Sequence, residues 1–245
     1  MTTTNEATFD WKISEFLSKK GKRAPYIIII LNQPILRRNI FKTLWENADI
    51  KICADGGANH VYDAFKDEYI PNYIRGDLDS LRDDVRSYYH SKGTEIQCEP
   101  EQESTDFMKC INLVRIKEEE NFSKYDVLAI GSSGGRLDQI MSNIHYLYKL
   151  RDERKIFLVS DKNMSFLLKK GKHNILCDRK IEGPTCGILP IGVQRATLTT
   201  TGLKWNMTNF TSAFGDMIST SNVLINDIIT IETDAPVIWT VELQI

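Results

Sequence analysis

Ile74-Arg75-Gly76-Asp77-Leu78-Asp79-Ser80 sets two carboxylates on either side of one residue, directly after a glycine. In extended backbone, residues two apart point to the same side, so Asp77 and Asp79 can face one ion. Two unit charges about 4 Å apart repel by roughly 4 kcal/mol at an effective dielectric of 20. A divalent cation between them removes that cost. Mg²⁺ takes oxygen ligands, usually one or two carboxylates together with phosphate oxygens and water. Gly76 favours close approach of a ligand to backbone. The competing account is a capping turn, with Asp79 or Ser80 starting the next helix.

Three more segments carry the same kind of chemistry. Ala54-Asp55-Gly56-Gly57 joins a predicted strand to a helix, and its amides can meet a phosphate there; plain turn chemistry is the alternative. Asp106 and Lys109 in Ser104-Thr105-Asp106-Phe107-Met108-Lys109 share one helix face, a carboxylate for a metal and an ammonium for phosphate. A dipole-favoured aspartate with an ion pair would look the same. Gly131-Ser132-Ser133-Gly134-Gly135-Arg136 can wrap an anion with backbone amides while Arg136 binds its oxygens. Asp138 and Gln139 follow at a helix start. This loop is neither a P-loop nor a dinucleotide fingerprint. The histidines lack zinc-ligand spacing, and no Gly-x-Ser-x-Gly elbow is present.

The elements around these motifs explain why four weak signals reinforce one another. Residues 26–31 form a β-branched run suited to a strand buried on both faces. Residues 36–48 place Ile40, Phe41, Leu44 and Trp45 on one helical stripe. Strands at 50–54, 73–75, 94–98, 126–130 and 155–159 then alternate with helices at 58–65, 83–92, 105–120 and 137–150. That alternation predicts a mainly parallel sheet covered on both faces. All four aspartate motifs fall at strand ends pointing the same way, the rim where open α/β sheets bind ligands. The reading is a Mg²⁺ and polyphosphate site.

After residue 162 short β-rich pieces follow at 175–177, 187–190, 196–201, 217–221, 228–233 and 237–241, punctuated by glycine and proline. The predicted fold is therefore α/β: an N-terminal mainly parallel α/β/α sheet domain at 25–161, then a C-terminal all-β sandwich at 162–245. Residues 1–24 read as a loosely held polar arm with one short helix around 11–17 and a solvated basic cluster at 19–23.

A net charge of −2 argues against a general nucleic-acid binder. The longest strongly apolar run is far too short to span a membrane. The N-terminus lacks a secretory pattern, and five cysteines without a CxxC pair read as reduced core thiols of a reducing compartment. These features point to the cytoplasm.

The motifs Ala54–Asn59, Gly76–Ser80, Ser104–Phe107, Gly134–Gln139, Thr200–Asn206 and Ser219–Asn222 occur in the order seen in eukaryotic thiamine pyrophosphokinases, and the chain resembles that family from about Tyr26 onward. The resemblance implies a homodimer that transfers the β,γ-pyrophosphoryl group of ATP to thiamine. Thiamine would lie between one subunit's α/β domain and its partner's β domain. It implies Mg²⁺ on Asp77, Asp79 and Asp106, with Asp138 completing the acidic cluster. Gln33, Asp55, Gly56, Gly57, Asn59, Thr105, Lys109, Gly134, Gly135 and Arg136 would line the nucleotide site. Gln102, Gln139, Trp205, Ser219, Ser221 and Asn222 would contact thiamine. Gln139 stands where many members carry His, and Gln cannot move a proton. Two rivals remain: a metal-dependent phosphohydrolase with Asp77 as nucleophile, and a non-catalytic nucleotide- or vitamin-binding regulator.

Overall fold

The computed structural model describes residues 7–18, 23–36 and 38–244, which fall into two compact units. The chain opens with strand β1 (Thr8–Trp11) and the short helix α1 (Ser14–Leu17). The α/β unit follows as β2 (Tyr26–Ile30), α2 (Arg38–Asn47), β3 (Ile50–Ala54), α3 (Gly57–Phe65), β4 (Tyr73–Gly76) and α4 (Asp83–Ser91). It continues with β5 (Glu95–Cys98), α5 (Asp106–Asn121), β6 (Asp126–Ile130), α6 (Leu137–Lys149) and β7 (Ile156–Val159).

Within this unit the strand order is β7-β6-β2-β3-β4-β5, and every neighbouring pair is parallel. Every residue of β2 is buried, as its unbroken β-branched run requires. Helix α2 buries Ile40, Phe41, Leu44 and Trp45, the stripe read from the sequence. Strands β3, β4 and β5 step outward on one side of β2, whereas β6 and β7 lie on the other. The winding therefore reverses between β2 and β6, and a crevice opens there beyond the strand C-termini.

The second unit is built from β8 (Asn163–Leu168), β9 (Gly171–Leu176), β10 (Glu182–Leu189), β11 (Ala196–Thr201), β12 (Phe210–Ser212), β13 (Ser219–Val223), β14 (Ile228–Thr233) and β15 (Val237–Leu243), together with β1 and α1. One sheet runs β1-β9-β14-β11-β12 and the other β13-β10-β15-β8. Apolar residues of both, among them Ile175, Leu198, Ile231, Phe166, Ile188 and Trp239, fill a common core.

Within the arm expected to be loose, residues 8–17 instead form a strand and a short helix. β1 pairs in parallel with β9, Thr8 opposite Lys172 and Trp11 opposite Ile175. Trp11 stacks on Phe166 at 4.5 Å between centroids, and its indole N–H donates to Nδ1 of buried His173 at 3.0 Å. The half-buried indole, with buried Ile13, Phe16 and Leu17, supplies the apolar contact that holds this segment. The short helix is confined to Ser14–Leu17, and residues 19–22 of the basic cluster lie outside the described residues. Four cysteines are buried as expected, but Cys98 at the end of β5 is exposed. No described helix is long and apolar enough to cross a membrane.

Candidate functional site

The C-terminal ends of the parallel strands enclose a cleft of about 580 Å³. It draws Leu31, Asn32 and Gln33 from the end of β2, Ala54 and Asp55 from β3, and Asp77, Asp79 and Ser80 from β4. Gln102, Ser104, Thr105, Asp106 and Phe107 come from the β5–α5 loop and helix start. Gly131, Ser132, Gly134, Arg136, Gln139 and Asn143 come from the loop after β6 and from α6.

Asp55, Asp77 and Asp79 each present one carboxylate oxygen within 4.8 Å of the others. The extended spacing assumed for Asp77 and Asp79 is not how this is done. Leu78 sits at φ 65° and turns the chain between them, and the Asp79 amide donates to Asp77 Oδ1 at 3.2 Å. Asp55 is also left-handed, at φ 43°. A bulky residue such as Leu is costly in that region, and such strain clusters at functional sites. Gly76 serves these carboxylates rather than a ligand: a Cβ there would lie 2.8 Å from Asp55 Cβ and 2.9 Å from Asp106 Oδ1.

Hydrogen bonds fix the rest of the cluster. The Ser80 amide donates to Asp55 Oδ2 at 3.1 Å, and Gln102 Nε2 to Asp77 Oδ2 at 3.3 Å. Asp106 Oδ1 accepts from the Asp77 amide at 3.2 Å and from Lys109 Nζ at 3.3 Å. Lys109 Nζ also lies 3.6 Å from Asp77 Oδ2. Burial pushes Asp55 up; hydrogen bonds from Ser80 and Gly56 only partly offset it, and Asp106 adds repulsion. Burial and the Asp77 charge likewise raise Asp106 against the pull of Lys109. Burial opposes ionisation of Asp77, yet the Asp79 amide, Lys109 and Gln102 together hold it below the usual range.

Asp55 is 2 % exposed, and its Oδ1 has no hydrogen-bond partner among the described residues. A buried carboxylate oxygen left bare is costly unless something meets it. Three aspartate oxygens converging as those of Asp55, Asp77 and Asp79 do suit a hard divalent cation.

Other expected residues fall elsewhere. Lys109 is 1 % exposed and faces the carboxylates rather than the cleft. Asp138 is exposed, paired to Arg136 through Nε at 3.1 Å, and stands outside the cleft lining. Gly56, Gly57 and Gly135 shape the rim by letting Asn32, Ile30 and Gln33 approach. Asn59 tethers the Asp79-Ser80 turn, donating to Ser80 O at 2.7 Å. Sequence reasoning passed over Asn32 and Asn143 and read Ser80 only as a possible helix start; the one signal of the first two is position, at a strand end and about two helical turns from the glycine loop. Trp205, Ser219, Ser221 and Asn222 lie in the β unit, around a second pocket of about 580 Å³ that Met207, Phe210 and Met217 also line. Asn222 holds the Trp205 backbone from both sides, donating to its carbonyl at 2.9 Å and accepting from its amide at 3.2 Å.

Residues 41–158 match the family model for the thiamin pyrophosphokinase catalytic domain, and residues 172–238 that for the thiamin pyrophosphokinase vitamin B1 binding domain. Thiamine pyrophosphokinase 3 of Oryza sativa subsp. japonica is 40% identical over 90% of this chain and 88% of its own length. The chain belongs to the thiamine pyrophosphokinase family. The Saccharomyces cerevisiae thiamine pyrophosphokinase is 34% identical over 82% of this chain and 79% of its own. The crystal structure of yeast thiamin pyrophosphokinase superposes with a TM-score of 0.85 at 30% identity, covering 100% of this chain and 94% of that one. The Candida albicans thiamin pyrophosphokinase gives 0.84 at 26% identity, over 97% and 93%. In this pyrophosphokinase the catalytic-domain match spans the whole aspartate cluster, and the second match spans every residue of the Trp205 pocket.

Proposed function

We infer that this chain is a Mg²⁺-dependent thiamine pyrophosphokinase, transferring the pyrophosphoryl group of ATP to the thiamine hydroxyl and releasing AMP. The observation that carries the reading is the convergence of one carboxylate oxygen each from Asp55, Asp77 and Asp79 within 4.8 Å, at the rim where the sheet's winding reverses. Asp55, Asp77 and Asp79 would hold the ion, with Asp106 beside them. When bound, Mg²⁺ neutralises negative charge on the triphosphate oxygens and orients them.

The hydroxyl oxygen of thiamine forms a bond to the β-phosphorus, and the bond from that phosphorus to the α,β-bridging oxygen breaks. AMP departs with the bridging oxygen, and the hydroxyl proton passes to solvent or a cleft oxygen. Such transfers depend chiefly on positioning and charge neutralisation. Arg136 supplies the cationic side chain that lines the cleft, and Gln33 and Thr105 supply hydrogen-bonding groups for the nucleotide. Gln102 and Gln139, which also line the cleft, would contact thiamine. Trp205, with Ser219 and Ser221, offers a flat apolar wall beside hydroxyls, suited to a heteroaromatic ring. Asp77 is poorly placed as a phosphohydrolase nucleophile, since both its oxygens already accept hydrogen bonds.

A homodimer and a cytoplasmic location complete the proposal. Sedimentation should give about twice the 28.1 kDa chain mass. Incubation with thiamine, ATP and Mg²⁺ should yield AMP and thiamine diphosphate in equal amounts. ADP with thiamine monophosphate would reject the assigned bond cleavage, and tight binding of both substrates without AMP would favour a regulator.

A further inference from the structure

Lys109 is an unusual neighbour for a phosphate-binding cleft, because it is buried and turned away from it. Its ammonium is among the largest fully buried side chains, 3.3 Å from Asp106 Oδ1 and 3.6 Å from Asp77 Oδ2. Its own carbonyl accepts from Arg75 Nε at 2.8 Å, which fixes the helix turn that carries it. An ammonium so deeply placed is tolerated only when paired. Its partners, Asp106 and Asp77, are two of the four clustered aspartates. Of the converging trio Asp55, Asp77 and Asp79, Lys109 reaches only Asp77 through an ion pair among the described residues.

We propose that Lys109 is a positioning residue that occupies a second cation position in the cluster, so that the protein holds one divalent ion, not two, and touches no phosphate itself. This rests on the metal and polyphosphate reading above. Lys109 clamps Asp106 and Asp77 together, aims the remaining oxygens at the Asp55 side, and limits the negative charge that draws a metal in. Removing it leaves like charges facing one another with only mobile cations to relieve them.

The test is Mn²⁺ binding without nucleotide, followed by electron paramagnetic resonance and calorimetry on the full-length protein. Wild type should bind one Mn²⁺. Lys109→Met should bind Mn²⁺ about tenfold more tightly or gain a second ion, and should lose thermal stability in chelator that Mn²⁺ restores. Unchanged or weaker Mn²⁺ binding in this variant, with a raised KM for ATP, would overturn the proposal and make Lys109 a phosphate ligand. If Lys109→Met does not fold, Asp106→Asn/Lys109→Met carries the test, since it removes one charge of each sign. It should bind one Mn²⁺ within about threefold of wild type; a second ion or a tenfold departure would sink the idea. No Mn²⁺ bound by wild type would instead fail the metal reading itself, before any variant is compared.

Discussion

Asp55 gathers the site's chemistry in one side chain: buried, left-handed in backbone and short of a partner. Asp55→Asn keeps the shape and removes the charge. Turnover should fall about 100-fold or more at limiting Mg²⁺ with the far-ultraviolet circular dichroism unchanged; near-normal rates would show that the metal sits elsewhere. Gly76→Ala attacks the same point sterically, since its methyl would press on Asp55 and Asp106. Overpacking of this kind costs about 1–3 kcal/mol, so the urea midpoint should drop while turnover falls further than the loss of folded protein explains. The residue types at this site were legible in the sequence, but their directions were not. Asp55 joins Asp77 and Asp79 through two left-handed residues, and no spacing rule anticipates φ 65° at a leucine. Lys109 had the right spacing from Asp106, yet spacing does not say which way an ammonium turns.

Among the elements, α5 does the most to organise the cleft, presenting Asp106 in its first turn and Lys109 one turn later. Thr105 caps it by accepting from the Met108 amide at 3.3 Å, and donates to Tyr146 OH of α6 at 3.0 Å. Thr105→Ala should cost about 1 kcal/mol in urea unfolding, and Thr105→Ser should recover most of it. At the other end, Glu118 is buried against Arg154, 3.0 Å away. Glu118→Ala leaves that guanidinium with Glu153 alone and should cost about 1.5–3 kcal/mol, measurable as a lowered urea midpoint. The helices and parallel strands were readable because their apolar spacing is local and strong. The β unit was readable only in outline: β12 spans three residues, and Lys169, Lys170 and Lys172 interrupt any apolar run where β8 gives way to β9. β1 was missed for a different reason. Four residues, Thr8-Phe9-Asp10-Trp11, acquire meaning only from a partner strand far along the chain.

Across the whole molecule, stability should depend on pH through Glu182 at the start of β10. It is fully buried and accepts from the Asp178 amide at 3.2 Å, and burial pushes its pKa to about 7, with Asp178 adding repulsion. The unfolded chain titrates near 4.5. The folded state therefore prefers the protonated acid. Its contribution is complete below about pH 4.5 and is lost as pH rises through 7, by about 3 kcal/mol. Glu182→Gln should unfold at higher urea than wild type at pH 8, and that advantage should shrink at pH 5; a constant difference would show that Glu182 is not the titrating group. The pairing of β1 with β9 has a consequence for biosynthesis. Trp11 and His173 meet across 162 positions of sequence. A ribosome thus releases the complete α/β unit while the opening strand still waits for its neighbour. The aspartate cleft can form on a nascent chain, but the sandwich waits for β9 to meet β1 and for β15 to join β8 and β10.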